Sequence, residues 1–304
     1  MAQGDSRLDP VVTRSPVQFL SMRNAYFNLY RKYIYPRRNA ATGPWQWLFR
    51  IKTTLQSVFS AGSLALDRVL FVFRRKDIKL LYEQSDLINF DITCINLLRR
   101  PDKKQSIEQQ FGEIGFNLRI IPAIDGLTID TNQLINDDAL SADNHCSATG
   151  MPLTPAQIGV YLSHYELWKA ALVSPHKVSL ILEDDAMMIC DSATLEEFVR
   201  HIPEDADLFF INRRKNKTKN ISPYASKFVG HFWGLTAYFL TKQGAEKLLA
   251  MSLPIYKSAD ESISELNENG VINCYCSRKE LVVECSNPRD VQNYRFTSDI
   301  INRT

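Results

Sequence analysis

The run Ser179-Leu180-Ile181-Leu182-Glu183-Asp184-Asp185-Ala186 constrains this chain more than any other stretch. A short apolar run bounded by polar residues fits a buried parallel strand. This one ends in three adjacent carboxylates. In open α/β sheets, ligands bind outside the carboxyl ends of the strands, where Glu183, Asp184 and Asp185 fall. In an extended chain Glu183 and Asp185 share one face and Asp184 takes the other. Carboxylates at i and i+2 can hold a hard divalent cation that bridges to phosphates. A solvated acidic turn is the plainer reading of the same residues, and the triplet alone leaves both open. Adjacent like charges repel, so a bound cation or a basic neighbour would relieve them.

The stretch from Asp91 supports a parallel sheet. Asp91 to Leu97 reads as a strand, Arg99 to Lys104 as a basic loop, Ser106 to Glu113 as a helix, and Leu118 to Ala123 as a second strand. That is a β-α-β unit. Thr154-Pro155-Ala156-Gln157 is a helix start, with Thr154 as N-cap, Pro155 at the first position and Gln157 as the reach-back of a capping box. His164 lies on the flank of that helix's apolar face. Phe232 to Leu240 reads as a strand whose Gly234 allows close backbone approach. Asp260-Glu261 is a second carboxylate pair. Two polar stretches, Leu127 to Met151 and the basic Arg213 to Asn220, read as loops that border a ligand or face solvent.

Charge divides the chain. Residues 1–86 carry 14 Lys/Arg against 6 Asp/Glu, whereas the remainder carries 22 against 28. Such asymmetry suggests different partners for the two parts. Residues 1–86 form a basic, aromatic-rich helical extension, with Phe19, Met22, Tyr26, Tyr30 and Tyr33 at helical spacing. A membrane surface, an anionic glycolipid, or a helical cap packed on the main domain would each suit it; no nucleic-acid motif is present. No apolar run reaches the ~20 residues of a membrane span. The start lacks an apolar signal-peptide core, so the six cysteines are expected as free thiols and the location as cytoplasmic.

Five motifs in order resemble those of the family 25 glycosyltransferases, the lipooligosaccharide galactosyltransferases that also include the collagen galactosyltransferases. Asp91–Leu97 with Arg99, Arg100 and Asp102 resembles "INL-x-R-R-x-D", and Ala123-Ile124-Asp125-Gly126 is similar to "A-x-D-G". Leu153 to His164 resembles "L-T-x-G-E-I-G-C-x-L-S-H", Leu182 to Asp185 "L-E-D-D", and Thr236-Ala237-Tyr238 with Gly244-Ala245 "T-x-A-Y…G-A". The resemblance spans about residues 89–300. Gln157 and Val160 depart from the family's glutamate and cysteine.

The resemblance implies an α/β, GT-A-like single nucleotide-binding domain over residues 87–304, with a mainly parallel central sheet and the N-terminal extension over 1–86. It implies a UDP-sugar donor, a divalent metal such as Mn2+, and inverting transfer of galactose or glucose to a lipooligosaccharide acceptor. Asp185 is then expected as the direct metal ligand. Glu183 would assist it or reach the ribose, and Asp184 is the third acid of the donor site. Asn96, Arg99 and Asp125 are expected at the nucleotide. Asp260 is expected as the base that takes the acceptor proton, with Glu261 as second candidate, and His164 as a further catalytic residue. A peripheral contact of residues 1–86 with the inner membrane completes the expectation. The alternatives are a collagen-type protein glycosyltransferase and a catalytically degenerate sugar-binding or scaffold homologue.

Overall fold

The computed structural model describes residues 78–83, 86–289 and 292–300. The extension expected over 1–86 lies outside them except for its last residues. Of those, Leu80 bridges Pro203, and Tyr82 is buried in the core on the α1 side of the sheet, where α1 is the helix Pro101–Glu113.

Strands β1 (Asp91–Asn96), β2 (Leu118–Pro122) and β3 (Val178–Glu183) run parallel in the order β2-β1-β3. Next come β8 (Ala237–Thr241), antiparallel to β3, then β5 (Leu208–Phe210) and β9 (Cys274–Ser277), which are parallel to each other. β7 (Ala225–Phe228) and β6 (Thr218–Asn220) complete the sheet. The sheet is mixed, yet only β8 and β7 run against its other strands. A separate antiparallel pair joins β4 (Ala186–Met188) to β10 (Val282–Glu284), with Glu284 opposite Ala186. That pair returns the chain to the acidic triplet from about a hundred residues downstream.

Both faces of the sheet are covered, so its inner strands are buried almost throughout, whereas the edge strands β2 and β6 contain no buried residue. Helix α1 and helix α4 (Ser192–Arg200) belong to one face; α3 (Pro155–Val173), α5 (Lys242–Met251) and α6 (Ala259–Glu268) belong to the other. Alternation sorts the strand side chains: Ile181 joins the α3 side, whereas Leu180 and Leu182 join the α1 side. Each such burial contributes roughly 1.5–3 kcal/mol. All six cysteines are among the described residues, and no disulfide joins any two of them.

Three elements differ from their sequence reading. Helix α1 begins at Pro101 rather than Ser106, because Pro101 occupies a first-turn position where its missing N–H costs nothing. The strand expected over 232–240 is regular only from Ala237; Gly234 sits at φ +91, outside any strand conformation. The long polar stretch 127–151 contains a short helix α2 (Thr131–Asn136), whose first N–H groups are capped by Asp130. The capping box at Thr154 and Gln157 is present in both directions, at 2.9 and 3.2 Å.

Motif glycines set how closely α3 approaches the turn after β2. A Cβ on Gly126 would stand 2.5 Å from the Pro155 backbone, and one on Gly159 would stand 2.6 Å from the Ile124 carbonyl oxygen. Ser163 Oγ accepts from the Ile124 N–H (2.8 Å) and fastens the same turn. Gly159→Ala must therefore shift backbone, and should destabilise the protein by about 1–3 kcal/mol in urea unfolding.

Candidate active site

Glu183 ends β3, and Asp184 and Asp185 form the turn into β4. All three line one cleft, together with Lys103, Arg214, Trp233, Asp260, Glu284 and Asp299. Strand alternation holds through the first two acids and breaks at the third, so each carboxylate meets a different element.

Glu183 faces α3. His164, fully buried on that helix, brings Nε2 to 3.3 Å from Glu183 Oε1, while its Nδ1 lies 2.9 Å from the Tyr238 hydroxyl. Trp168 Nε1 donates to the same hydroxyl at 2.9 Å. Indole N–H can only donate, so the tyrosine oxygen accepts there and turns its own proton to His164 Nδ1. Nε2 then carries the imidazole proton and donates to Glu183. One neutral tautomer satisfies every group of this relay. Burial works to raise the Glu183 carboxyl. The hydrogen bond from His164, with the charges of Arg214 and Lys103 behind, outweighs it and holds Glu183 below the usual range.

Asp184 faces α1. Its Oδ1 meets Lys103 Nζ at 2.9 Å and its Oδ2 accepts from Asn96 Nδ2 at 2.9 Å. Burial still raises this carboxyl, against the pull of Lys103. Asn96 also donates to the Arg100 carbonyl (3.1 Å) and is itself buried. It therefore positions Asp184 instead of presenting its amide to a nucleotide.

Asp185 is the exception. Ser286 Oγ donates to its Oδ2, and the Cys285 N–H donates to its backbone carbonyl (2.8 Å). Its Oδ1 is buried with no hydrogen-bond partner among the described residues. Burial first, and the charge of Glu183 next, push the Asp185 carboxyl up to about 7. Glu284, brought in by β10, adds to this repulsion while pairing with Arg214 Nε at 3.0 Å. Arg214 crosses the space where a Gly234 Cβ would stand, 2.2 Å from the arginine side chain.

These acids fit a divalent cation. No group of three or more His, Cys, Asp or Glu among the described residues forms a metal cage by itself. A hard cation that serves phosphates takes one or two protein carboxylates and completes its coordination with water and substrate oxygens. An orphaned Asp185 oxygen beside an ionised Glu183 supplies that number.

Of the second carboxylate pair, Asp260 lines the cleft and Glu261 does not. Asp260 accepts from the Gly234 N–H (3.1 Å), Ser258 Oγ (2.7 Å) and the Glu261 N–H (3.0 Å). Glu261 is 1% exposed, and its oxygens accept from the Ser147 N–H (3.0 Å) and the Ser258 N–H (3.4 Å). Its carboxylate fastens the start of α6 to the 127–151 stretch, which disqualifies it as an acceptor base. His164 is likewise sealed from the cleft and touches its lining through Glu183.

Arg99 and Asp125 face a second cleft, lined also by Gly126, Pro155 and Val160, and pair with each other at 2.7 Å. Sequence reasoning missed Lys103, Tyr238, Glu284, Ser286 and Asp299. For Lys103 a signal existed. Once the helix starts at Pro101, Lys103, Ile107 and Phe111 lie on one face, and all three are buried.

Residues 90–263 match the family described as glycosyltransferase family 25 (LPS biosynthesis protein). Procollagen galactosyltransferase 1 of Danio rerio is 27% identical over 184 residues, covering 57% of this chain and 30% of that protein. Procollagen galactosyltransferase 2 of Homo sapiens is 30% identical over 179 residues, 54% of this chain and 28% of that protein. The human inactive glycosyltransferase 25 family member 3 is 27% identical over 173 residues, covering 54% and 29%. The chain thus spans under a third of the length of these relatives. Among solved structures, mouse xyloside xylosyltransferase 1 shares 8% identity at a TM-score of 0.36, covering 60% of this chain and 70% of that one.

Two measurements check the site. Tyr238→Phe leaves Trp168 Nε1–H and His164 Nδ1 unpaired in the core, and should cost roughly 1–3 kcal/mol of stability in urea unfolding. The second concerns pH. Asp185 has a folded pKa raised above its unfolded value, so the folded state binds more protons and metal-free protein loses stability as pH rises from about 4 to 7. Asp185→Asn removes this contribution. Its unfolding free energy should exceed that of the wild type at pH 7.5 and converge with it at pH 4.

Proposed function

We propose that this chain, which belongs to glycosyltransferase family 25, transfers a hexose from a UDP-sugar to an acceptor hydroxyl with inversion. The observation that carries the reading is Asp185: a buried carboxylate with one orphaned oxygen, next to Glu183, in a cleft also lined by Lys103 and by Asp299, the carboxylate that Lys103 shares with Arg99 and Arg100.

Asp185 and Glu183 would hold a divalent cation. Such a cation, when bound, offsets the charge that builds on the departing diphosphate. The chain's own residues do the rest. His164, fixed by Tyr238, keeps Glu183 ionised and aimed. Lys103, held over Asp184, adds positive charge at the cleft floor. Asp260 takes the acceptor proton at a carboxylate oxygen, its orientation fixed by three hydrogen bonds from Gly234, Ser258 and Glu261. Apolar Leu235 and Ala259 and the ring of Trp233 give the same cleft a surface for a sugar face.

The sugar is proposed as galactose, after the relatives named galactosyltransferases. For the acceptor, the family description favours a lipooligosaccharide, whereas the named relatives favour a collagen hydroxyl. A relative named inactive keeps a sugar-binding or scaffold role as the competing reading.

The test is UDP release from UDP-galactose and UDP-glucose, with lipooligosaccharide or procollagen as acceptor, with Mn2+ or EDTA. Acceptor-stimulated release in Mn2+ is expected, and Asp185→Asn should lower it at least about a hundredfold. Asp260→Asn should lower release by about 10²–10⁴ with little change in UDP affinity. Absence of release from both donors with both acceptors leaves the scaffold reading standing.

A further inference from the structure

Three cations beside the two clefts, Arg99, Arg100 and Lys103, already hold an anion, and it belongs to this chain. Asp299 Oδ1 lies 2.6 Å from Arg99 Nη1, while its Oδ2 lies 2.5 Å from Arg100 Nη1 and 3.2 Å from Lys103 Nζ. No other carboxylate among the described residues contacts all three. Each cation keeps a second acidic partner of its own: Asp125 for Arg99, Asp102 for Arg100 and Asp184 for Lys103. Asp299 is therefore the shared carboxylate, and the one whose departure leaves no cation alone.

Residues 292–300 carry Asp299 across the cleft. Arg295 and Phe296 donate their N–H groups to the Cys285 carbonyl at 2.8 and 3.2 Å. The Thr297 carbonyl accepts from Arg100 Nη1 at 3.1 Å, and the Arg100 guanidinium lies 6.0 Å from the centre of the Phe296 ring. Beyond these anchors, Asp299 and Ile300 line both clefts, the one with the acidic triplet and the one with Arg99 and Asp125. Ile95, Leu97, Ala123 and Val160 form walls of both as well. The two clefts are thus one depression divided by Asp299 and Ile300. The strap's root is tied to the metal-binding end, since Cys285 also donates its N–H to the Asp185 carbonyl and Ser286 bonds the Asp185 carboxylate.

We propose that residues 292–300 are a displaceable strap whose Asp299 carboxylate occupies the anion site of Arg99, Arg100 and Lys103, so that the donor's diphosphate must replace it to bind. The identity of the displacing anion rests on the UDP-sugar reading of this cleft; the site and its latch do not. A diphosphate brings more charge and more acceptor oxygens than one carboxylate, and arginines pair with it bidentately. Burial would raise the Asp299 carboxyl, but Arg99, Lys103 and Arg100 hold it below the usual range, so the latch stays ionised at neutral pH. A latch closed about nine-tenths of the time weakens apparent anion binding on the order of tenfold.

The test uses the full chain and inorganic pyrophosphate, by calorimetric titration in EDTA. Asp299→Asn should bind pyrophosphate on the order of tenfold more tightly than the wild type, and Asp299→Glu should stay near it. In the wild type, with no substitution to disturb folding, pyrophosphate should speed tryptic cleavage after Arg295. Equal or weaker binding by Asp299→Asn, or cleavage that pyrophosphate slows or leaves unchanged, overturns the strap. Tighter binding and faster cleavage without UDP release from any UDP-sugar uphold the strap and sink the donor reading instead.

Discussion

Three adjacent carboxylates at the buried end of β3 are the constraint that the surrounding structure answers. Bringing like charges together in a low-dielectric site raises every one of them unless each is given its own compensation. The chain answers from three directions, with a basic group for two of the acids and only a neutral hydroxyl for the third. Helix α3 gives Glu183 a histidine, helix α1 gives Asp184 a lysine, and the turn after β10 gives Asp185 a serine hydroxyl. Strand alternation makes this possible, since successive side chains face opposite layers. The mixed sheet contributes as well: β8, antiparallel to β3, places Tyr238 where it fixes the histidine. Elements remote in sequence converge here because no local segment could neutralise the triplet alone.

What could be read beforehand was what local rules determine. The parallel order of β1 and β2 followed from a β-α-β pattern, and the capping box at Thr154 from four consecutive residues. The acids at the end of β3 followed from a hydrophobic run and its abrupt stop. Those rules also account for the capping bond of Gln157, whose amide oxygen closes the start of α3 as a glutamate carboxylate would, while the residue also lines the cleft of the acids. Illegible were contacts set by tertiary geometry. Nothing in the sequence brings Asp299 to Arg99 and Arg100 across about 200 residues. Asp260 and Glu261 are adjacent, yet helix phase turns one into the cleft and the other into the core.

Gly234 shows how one position serves two ends of the cleft. At φ +91 its backbone leaves strand geometry and points its N–H at Asp260, fixing the proposed base. The missing Cβ leaves room for Arg214 to reach Glu284, which stands against Asp185. A side chain here would be strained by the backbone angle and would collide with the arginine. Losing that arginine's charge would leave Lys103 as the cation that still offsets the repulsion between Glu284 and Asp185. The loop between β7 and β8 is therefore irregular for a reason: a regular strand from Phe232 would offer neither the N–H nor the gap.

Buried acids alone do not mark a functional site, and this chain contains the comparison needed to separate them. Asp207 is fully buried and also has one oxygen without a hydrogen-bond partner among the described residues. Its other oxygen, however, meets Lys247 Nζ at 2.7 Å and the Asn273 N–H at 2.8 Å, so its charge is matched by a cation and it joins α5 to the segment before β9. Glu261 is matched by two backbone N–H donors at a helix start. Asp185 has neither arrangement. Its one side-chain donor is a neutral hydroxyl, and the acids Glu183, Asp184 and Glu284 raise it further. A fold selected for stability alone would place an amide or an apolar group there. Retaining a charge that the protein itself leaves uncompensated, at the floor of an open cleft, makes sense where a mobile cation completes the balance during the working cycle.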